Sequence, residues 1–145
     1  MILKIKCLNL LLIDLLKFKI MGLLSGLLGN ASVMDNNEVQ KQFEKIFIQN
    51  EKVEAGFKII RDVFIFTDKR LVLIDKQGLT GRKVEYLSIA YKSISKFSVE
   101  TAGTFDLDAE LKIWVSSEKL PSVSKKFNKS VDVYEVQKIL ASFVL

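Results

Sequence analysis

Apolar side chains in this chain recur with a period of two over most of the stretch from Val53 to Phe127, and the pattern is clearest from Asp106 to Ser116. There Leu107, Ala109, Leu111, Ile113 and Val115 fall on one side, and Asp106, Asp108, Glu110, Lys112, Trp114 and Ser116 on the other. Successive side chains of a strand point to opposite faces, so this segment reads as a half-buried antiparallel strand with one wet face. Six further segments read as strands: Val53–Ile60, Asp62–Thr67, Leu71–Asp75, Val84–Ile89, Ile94–Glu100 and Ser122–Phe127. The connections between them are short and carry turn residues, among them Thr67-Asp68-Lys69-Arg70, Gln77-Gly78, Gly81 and Ala102-Gly103.

Two helices flank the strands. Asp35 followed by Glu38 forms a capping box, after which Val39, Phe43, Ile46 and Phe47 recur at helical spacing, with an end expected near Asn50. Asp132 with Glu135 opens a second helix whose apolar positions are Val133, Val136, Ile139 or Leu140, and Phe143. The fold expected from these elements is mainly β (α+β): a partly open barrel of two antiparallel sheets with about seven strands. A C-terminal helix plugs one end, and an N-terminal helix is added to it.

The run Phe-Ile-Phe-Thr-Asp-Lys-Arg-Leu-Val-Leu-Ile-Asp-Lys-Gln-Gly-Leu-Thr-Gly-Arg-Lys from Phe64 to Lys83 is long and specific. So is Thr-Ala-Gly-Thr-Phe-Asp-Leu-Asp-Ala-Glu-Leu-Lys-Ile-Trp-Val from Thr101 to Val115. With them the chain resembles the small bacterial pleckstrin-homology-like domain family, from about Met21 to Leu145. The resemblance implies the same order of strands and terminal helix. It also implies a habit of forming cyclic homo-oligomers, and it points to no reaction.

Composition fits one globular unit, with 49% hydrophobic and 27% charged residues. The formal charge is +5, of which residues 1–20 supply +3 through Lys4, Lys6, Lys17 and Lys19 against Asp14. The +2 that remains from Met21 onward is too small for a nucleic-acid-binding body. Histidine is absent, which removes the commonest general base and zinc ligand, and the lone Cys7 allows no intrachain disulfide. A reducing, cytoplasmic setting is therefore expected, with peripheral membrane contact as an addition.

Residues 1–34 read as a leader and a flexible Leu/Gly-rich segment, and residues 35–145 as a single domain. Asp14 interrupts the apolar run of the leader and no small-residue cleavage site follows, against a signal peptide. The stretch is also too short and too charged to span a membrane. Residues 1–20 are expected to lie upstream of a natural start at Met21, where the resemblance begins. From there Leu23, Leu24, Leu27 and Leu28 alternate with Gly22, Gly26 and Gly29, a poor helix and a candidate tail for a membrane or a partner.

Asp106, Asp108 and Glu110 place three carboxylates on one strand face, but same-face neighbours on one strand stand about 7 Å apart, too far to converge on a metal. Arg61, Lys69, Arg70, Arg82 and Lys83 lie in or beside turns. Phosphoinositide-binding relatives wrap the head group with a basic loop between their first two strands, and here only Arg61-Asp62 is left of it. Lys125, Lys126 and Lys129 read as a solubilising surface cluster. Trp114, with Tyr86 on a nearby face, is either a binding anchor or covered by the N-terminal helix or a neighbouring strand.

The function expected is a non-enzymatic interaction or scaffold module that self-associates into a ring. It needs no cofactor, catalytic residue or metal, and its partners are itself and an unidentified protein. The candidate contact comprises Asp106, Asp108, Glu110, Lys112 and Trp114 with the basic turn Arg82-Lys83. A peripheral protein on anionic lipid is the alternative, and a metal-dependent hydrolase is the reading with least support.

Overall fold

The computed structural model describes residues 33–59, 61–101, 103, 109–127 and 132–145. Residues 1–32 of the leader and Leu/Gly-rich segment, Asp106, Leu107, Asp108 and Lys129 lie outside the described residues. Five strands form the first sheet in sequential order: β1 (Val33–Met34), β2 (Val53–Ile59), β3 (Asp62–Thr67), β4 (Arg70–Gln77) and β5 (Lys83–Ala90). Three form the second: β6 (Ile94–Glu100), β7 (Ala109–Val115) and β8 (Val123–Phe127). All pairings are antiparallel. The expected strands correspond to β2–β8, and β1 is a two-residue addition opposite Gly56 and Phe57.

The inner faces of the two sheets pack on each other. Phe57, Phe64 and Phe66 from the first meet Leu111, Ile113 and Phe127 from the second. The Phe64 and Phe127 ring centres lie 6.2 Å apart, and Phe57 stacks on Phe64 at 5.3 Å. Helix α2 (Val133–Val144) closes this core with Val133, Val136, Ile139 and Leu140, all buried. Its start is held by Asp132, whose carboxylate accepts from the amides of Tyr134 and Glu135. The half-buried Phe143 stacks on Phe66 at 5.2 Å and on Tyr91 at 4.9 Å. The Tyr91 hydroxyl donates to the carbonyls of Thr67 (2.7 Å) and Arg70 (2.9 Å), and burial pushes its pKa well above the usual value.

A second apolar layer lies on the outer face of the first sheet, where Val63, Ile65, Val72 and Ile74 are covered by Val39 of helix α1 (Asn36–Gln42). Met34, Phe43, Ile46 and Phe47 complete it. Strands β3 and β4 are thus buried on both faces, which accounts for runs such as Phe64-Ile65-Phe66 that do not alternate. Helix α1 begins where expected, with the Asp35 carboxylate accepting from the amides of Asn37 (2.9 Å) and Glu38 (3.0 Å). It ends earlier than expected, at Gln42, and continues as a single 3-10 turn over Glu44–Ile46. Two features seat it. A Cβ on Gly56 would stand 3.1 Å from Val39 Cγ2, so any larger residue would have to push Val39 back by a few tenths of an ångström. The Gln40 side chain donates to the Glu51 carbonyl and accepts from the Val53 amide.

Arg70, which the sequence places in or beside a turn, serves there as a strut. Its guanidinium bonds both carboxylate oxygens of the buried Glu51 (2.9 and 3.1 Å) and the Ile46 carbonyl (2.6 Å). Thr67 Oγ1 donates to the same carboxylate at 2.8 Å. Burial alone would raise the Glu51 pKa, but these bonds and the Ile48 amide outweigh it and lower it. Among the described residues no helix is long and apolar enough to cross a membrane.

Candidate functional site

The two sheets splay apart where β5 ends the first and β8 ends the second. The inward-facing positions of both change character there, from Phe64, Leu73 and Phe127 in the core to Asp62, Asp75, Glu85 and Lys125 at the opening. A cleft of ≈ 250 Å³ runs between the two strands, with Leu73, Leu87 and Val123 as its apolar wall and Asp75, Glu85, Ser122, Ser124 and Lys125 around it. A second depression of ≈ 230 Å³ lies toward the β2–β3 turn and is lined by Ile59, Arg61, Asp62, Lys76, Ser124, Lys125 and Lys126.

Lys125 stands between the two. Its ammonium reaches Asp62 at 2.7 Å and Asp75 at 2.9 Å, tying β8 to β3 and β4 across the gap. Burial by itself would lower the Lys125 pKa, but its two carboxylate partners outweigh that and raise it. Asp75 is held below the usual carboxylate range, first by its bond to Lys125. The sequence reading of Lys125 as part of a solubilising cluster is therefore corrected: it is an inter-sheet latch, whereas Lys126 of the same cluster is exposed. A signal for it existed, because Lys125 shares the inward phase of Val123 and Phe127, and a charge on that phase requires a partner.

The candidate contact residues divide between the two sheets. On the outer face of the second sheet, Lys112 pairs with Glu110 (2.9 Å) and Glu100 (3.3 Å), and Glu110 also accepts from the Ser124 hydroxyl. That hydroxyl first, and then Lys112, lower the Glu110 pKa. Lys96 lies 4.6 Å from the centre of the Trp114 ring on the same face. Trp114 is half-buried, while α1 packs on the first sheet, so cover by the N-terminal helix does not apply to it. Lys83 opens β5 of the other sheet and Arg82 immediately precedes it, and among the described residues no ion pair joins them to Glu110 or Lys112.

The β2–β3 connection is as short as expected, and Arg61 turns away from any convergent cation cage to donate to the Gly78 carbonyl at 2.6 Å. That bond props the β4–β5 turn, where Gly78 (φ 76°) and Gly81 (φ 62°) adopt left-handed conformations and Leu79 is fully exposed. Tyr86 and Leu87 on β5 are also exposed, at 50% and 36%, and were not placed together by sequence reasoning.

The chain is similar to known proteins. The uncharacterized protein YjqA of Bacillus subtilis (strain 168) is 59% identical over 122 residues, covering 84% of this chain and 98% of that protein. The crystal structure of a pleckstrin homology domain from Shewanella amazonensis SB2B superposes with a TM-score of 0.73 at 48% identity, over 84% of this chain and 98% of that one. A DUF1696 family protein with a pleckstrin-homology domain from Shewanella loihica PV-4 gives 0.67 at 49% identity, over 80% and 98%. The bacterial PH domain profile matches residues 22–144, so this chain belongs to the bacterial PH domain family.

Proposed function

We propose that this chain is a non-enzymatic scaffold module, working in the cytoplasm, whose functional unit is a cyclic homo-oligomer. The observation that carries the reading is the open corner of the barrel. There β5 ends its sheet with no further strand paired to it among the described residues and leaves Tyr86 and Leu87 exposed beside the cleft. Bare strands of this kind are pairing templates, and head-to-tail pairing that closes gives a ring. Glu110, Lys112, Trp114, Arg82 and Lys83 are contact candidates, with Asp106 and Asp108 next to them in sequence. Light scattering of the full chain at high micromolar concentration tests this. The expected result is a multiple of the 16.5 kDa chain mass, and a strict monomer removes the proposal.

A second reading rests on the β4–β5 turn. Leu79 protrudes there among Arg61, Lys76, Arg82 and Lys83, the combination with which a peripheral protein meets an anionic bilayer. It shifts the membrane contact from the leader to a propped turn. Co-sedimentation with acidic vesicles should weaken in Leu79→Ser. Binding that survives Leu79→Ser and disappears on removal of residues 1–28 would return the contact to the tail.

A further inference from the structure

The β4–β5 turn is fixed from several sides although its tip is open to solvent. Gly78 (φ 76°) and Gly81 (φ 62°) take left-handed conformations, and the Gly78 carbonyl accepts from the Gly81 amide at 3.3 Å. The same carbonyl accepts from the Arg61 guanidinium at 2.6 Å, across from the β2–β3 turn. A Cβ on Gly81 would stand 3.3 Å from Arg61 Nη2, so that glycine also leaves room for the arginine. At the base of the turn the Gln77 amide donates to Glu85 at 3.1 Å.

What this order presents is one apolar side chain inside a collar of charge. Leu79 is fully exposed, and so are Lys76, Arg82 and Lys83 around it. Neither these three nor Arg61 has an ion-pair partner among the described residues. Asp62 and Asp75, their neighbours in sequence, are engaged by Lys125. Lys76 stands opposite Val84 and Lys83 opposite Gln77, so the two lysines lie on opposite faces of the ribbon. They cannot converge on one phosphate, yet both can meet a plane into which the tip dips.

Resting on the second reading above, we propose that this turn is a preformed wedge for an anionic bilayer in which Arg61 is a positioning residue and not a head-group ligand. Leu79 enters the boundary between head groups and acyl chains, while Lys76, Arg82 and Lys83 meet lipid phosphates around it. Arg61 spends its bond on Gly78 and so orders the turn before contact, which removes part of the ordering cost of binding. A collar of separated cations reads surface charge, whereas head-group recognition needs donors converging on one phosphate. The contact therefore follows the density of anionic lipid and is indifferent to the head group that carries the charge.

Co-sedimentation of the full chain with phosphatidylcholine vesicles tests this, the vesicles carrying phosphatidylglycerol, phosphatidylserine or a phosphoinositide at equal charge density. Circular dichroism verifies that each variant is folded. The wild type should bind all three alike, and Leu79→Ser should weaken binding by about tenfold. Lys83→Ser should weaken it by about fivefold and make the salt dependence shallower. Arg61→Lys keeps the charge and so the salt dependence, yet should lose about threefold through the loosened turn. Gly81→Ala, which strains the left-handed position without touching a charge, should behave like Arg61→Lys. Equal binding by wild type, Arg61→Lys and Gly81→Ala overturns the positioning role, and preference for one head group at equal charge overturns the indifference. A Leu79→Ser chain that binds vesicles normally but no longer self-associates gives the turn to a protein contact and overturns the wedge. A wild-type chain that ignores all three vesicles removes the second reading itself.

Discussion

Replacing Phe143 with alanine should cost about 2–3 kcal/mol of folding stability. Truncating a fully buried phenylalanine costs about 3–5 kcal/mol, and the half-buried position of Phe143 takes it below that range. Stacking on Phe66 at 5.2 Å and Tyr91 at 4.9 Å adds roughly 0.5–1.5 kcal/mol for each pair, part of which the truncation figure already contains. For a domain of this size the loss corresponds to a fall of about 8–12 °C in the unfolding midpoint. Circular dichroism melts of wild type, Phe143→Ala and Phe143→Leu measure it, and the leucine variant should recover part of the loss by refilling volume without stacking. Lys138→Ala is the control: its side chain is 56% exposed and paired only with Glu135, one turn away, so it should be nearly silent. Equal and small shifts for Phe143→Ala and Lys138→Ala would mean that α2 rests on the domain without closing it, and the helix-plugged barrel would have to be given up.

Other perturbations probe the remaining joints. Arg70→Met leaves the buried Glu51 carboxylate without its cation and should cost about 3 kcal/mol in urea unfolding. The folded pKa values of Glu51 and Asp75 are both lowered, so their contribution is present above the ordinary carboxylate range and is lost as pH falls through the folded values. The urea midpoint should therefore drop between about pH 5 and pH 3, and Arg70→Met should flatten that dependence; an unchanged profile would sink the assignment. Gly56→Val should loosen α1, since its first added carbon already stands 3.1 Å from Val39; faster hydrogen exchange over Asn36–Gln42 reads this out. Lys125→Met strands Asp62 and Asp75 beside each other, and a lower urea midpoint at pH 7 that Lys126→Met does not share would identify the latch.

Sequence alone determined the strand series, the order of the helices, both acidic caps and the core positions of α2. These follow from local periodicity: alternation along Ala109–Val115, the spacing of Val133, Val136, Ile139 and Leu140, and side chains that bond amides two and three residues away. Local pattern could not say that β3 and β4 are covered on both faces, because a strand does not record what lies on its second side. That cover depended on α1 reaching the outer face through the gap at Gly56. Nor could it pair charges far apart in the chain. Arg70 meets Glu51 from 19 residues away and Lys125 meets Asp75 from 50, so residues that read as surface cations became internal ties once the sheets packed. The open corner with β5 on one side and β8 on the other was equally invisible, since which strand ends a sheet is decided by pairing over the whole fold and not by the residues of that strand.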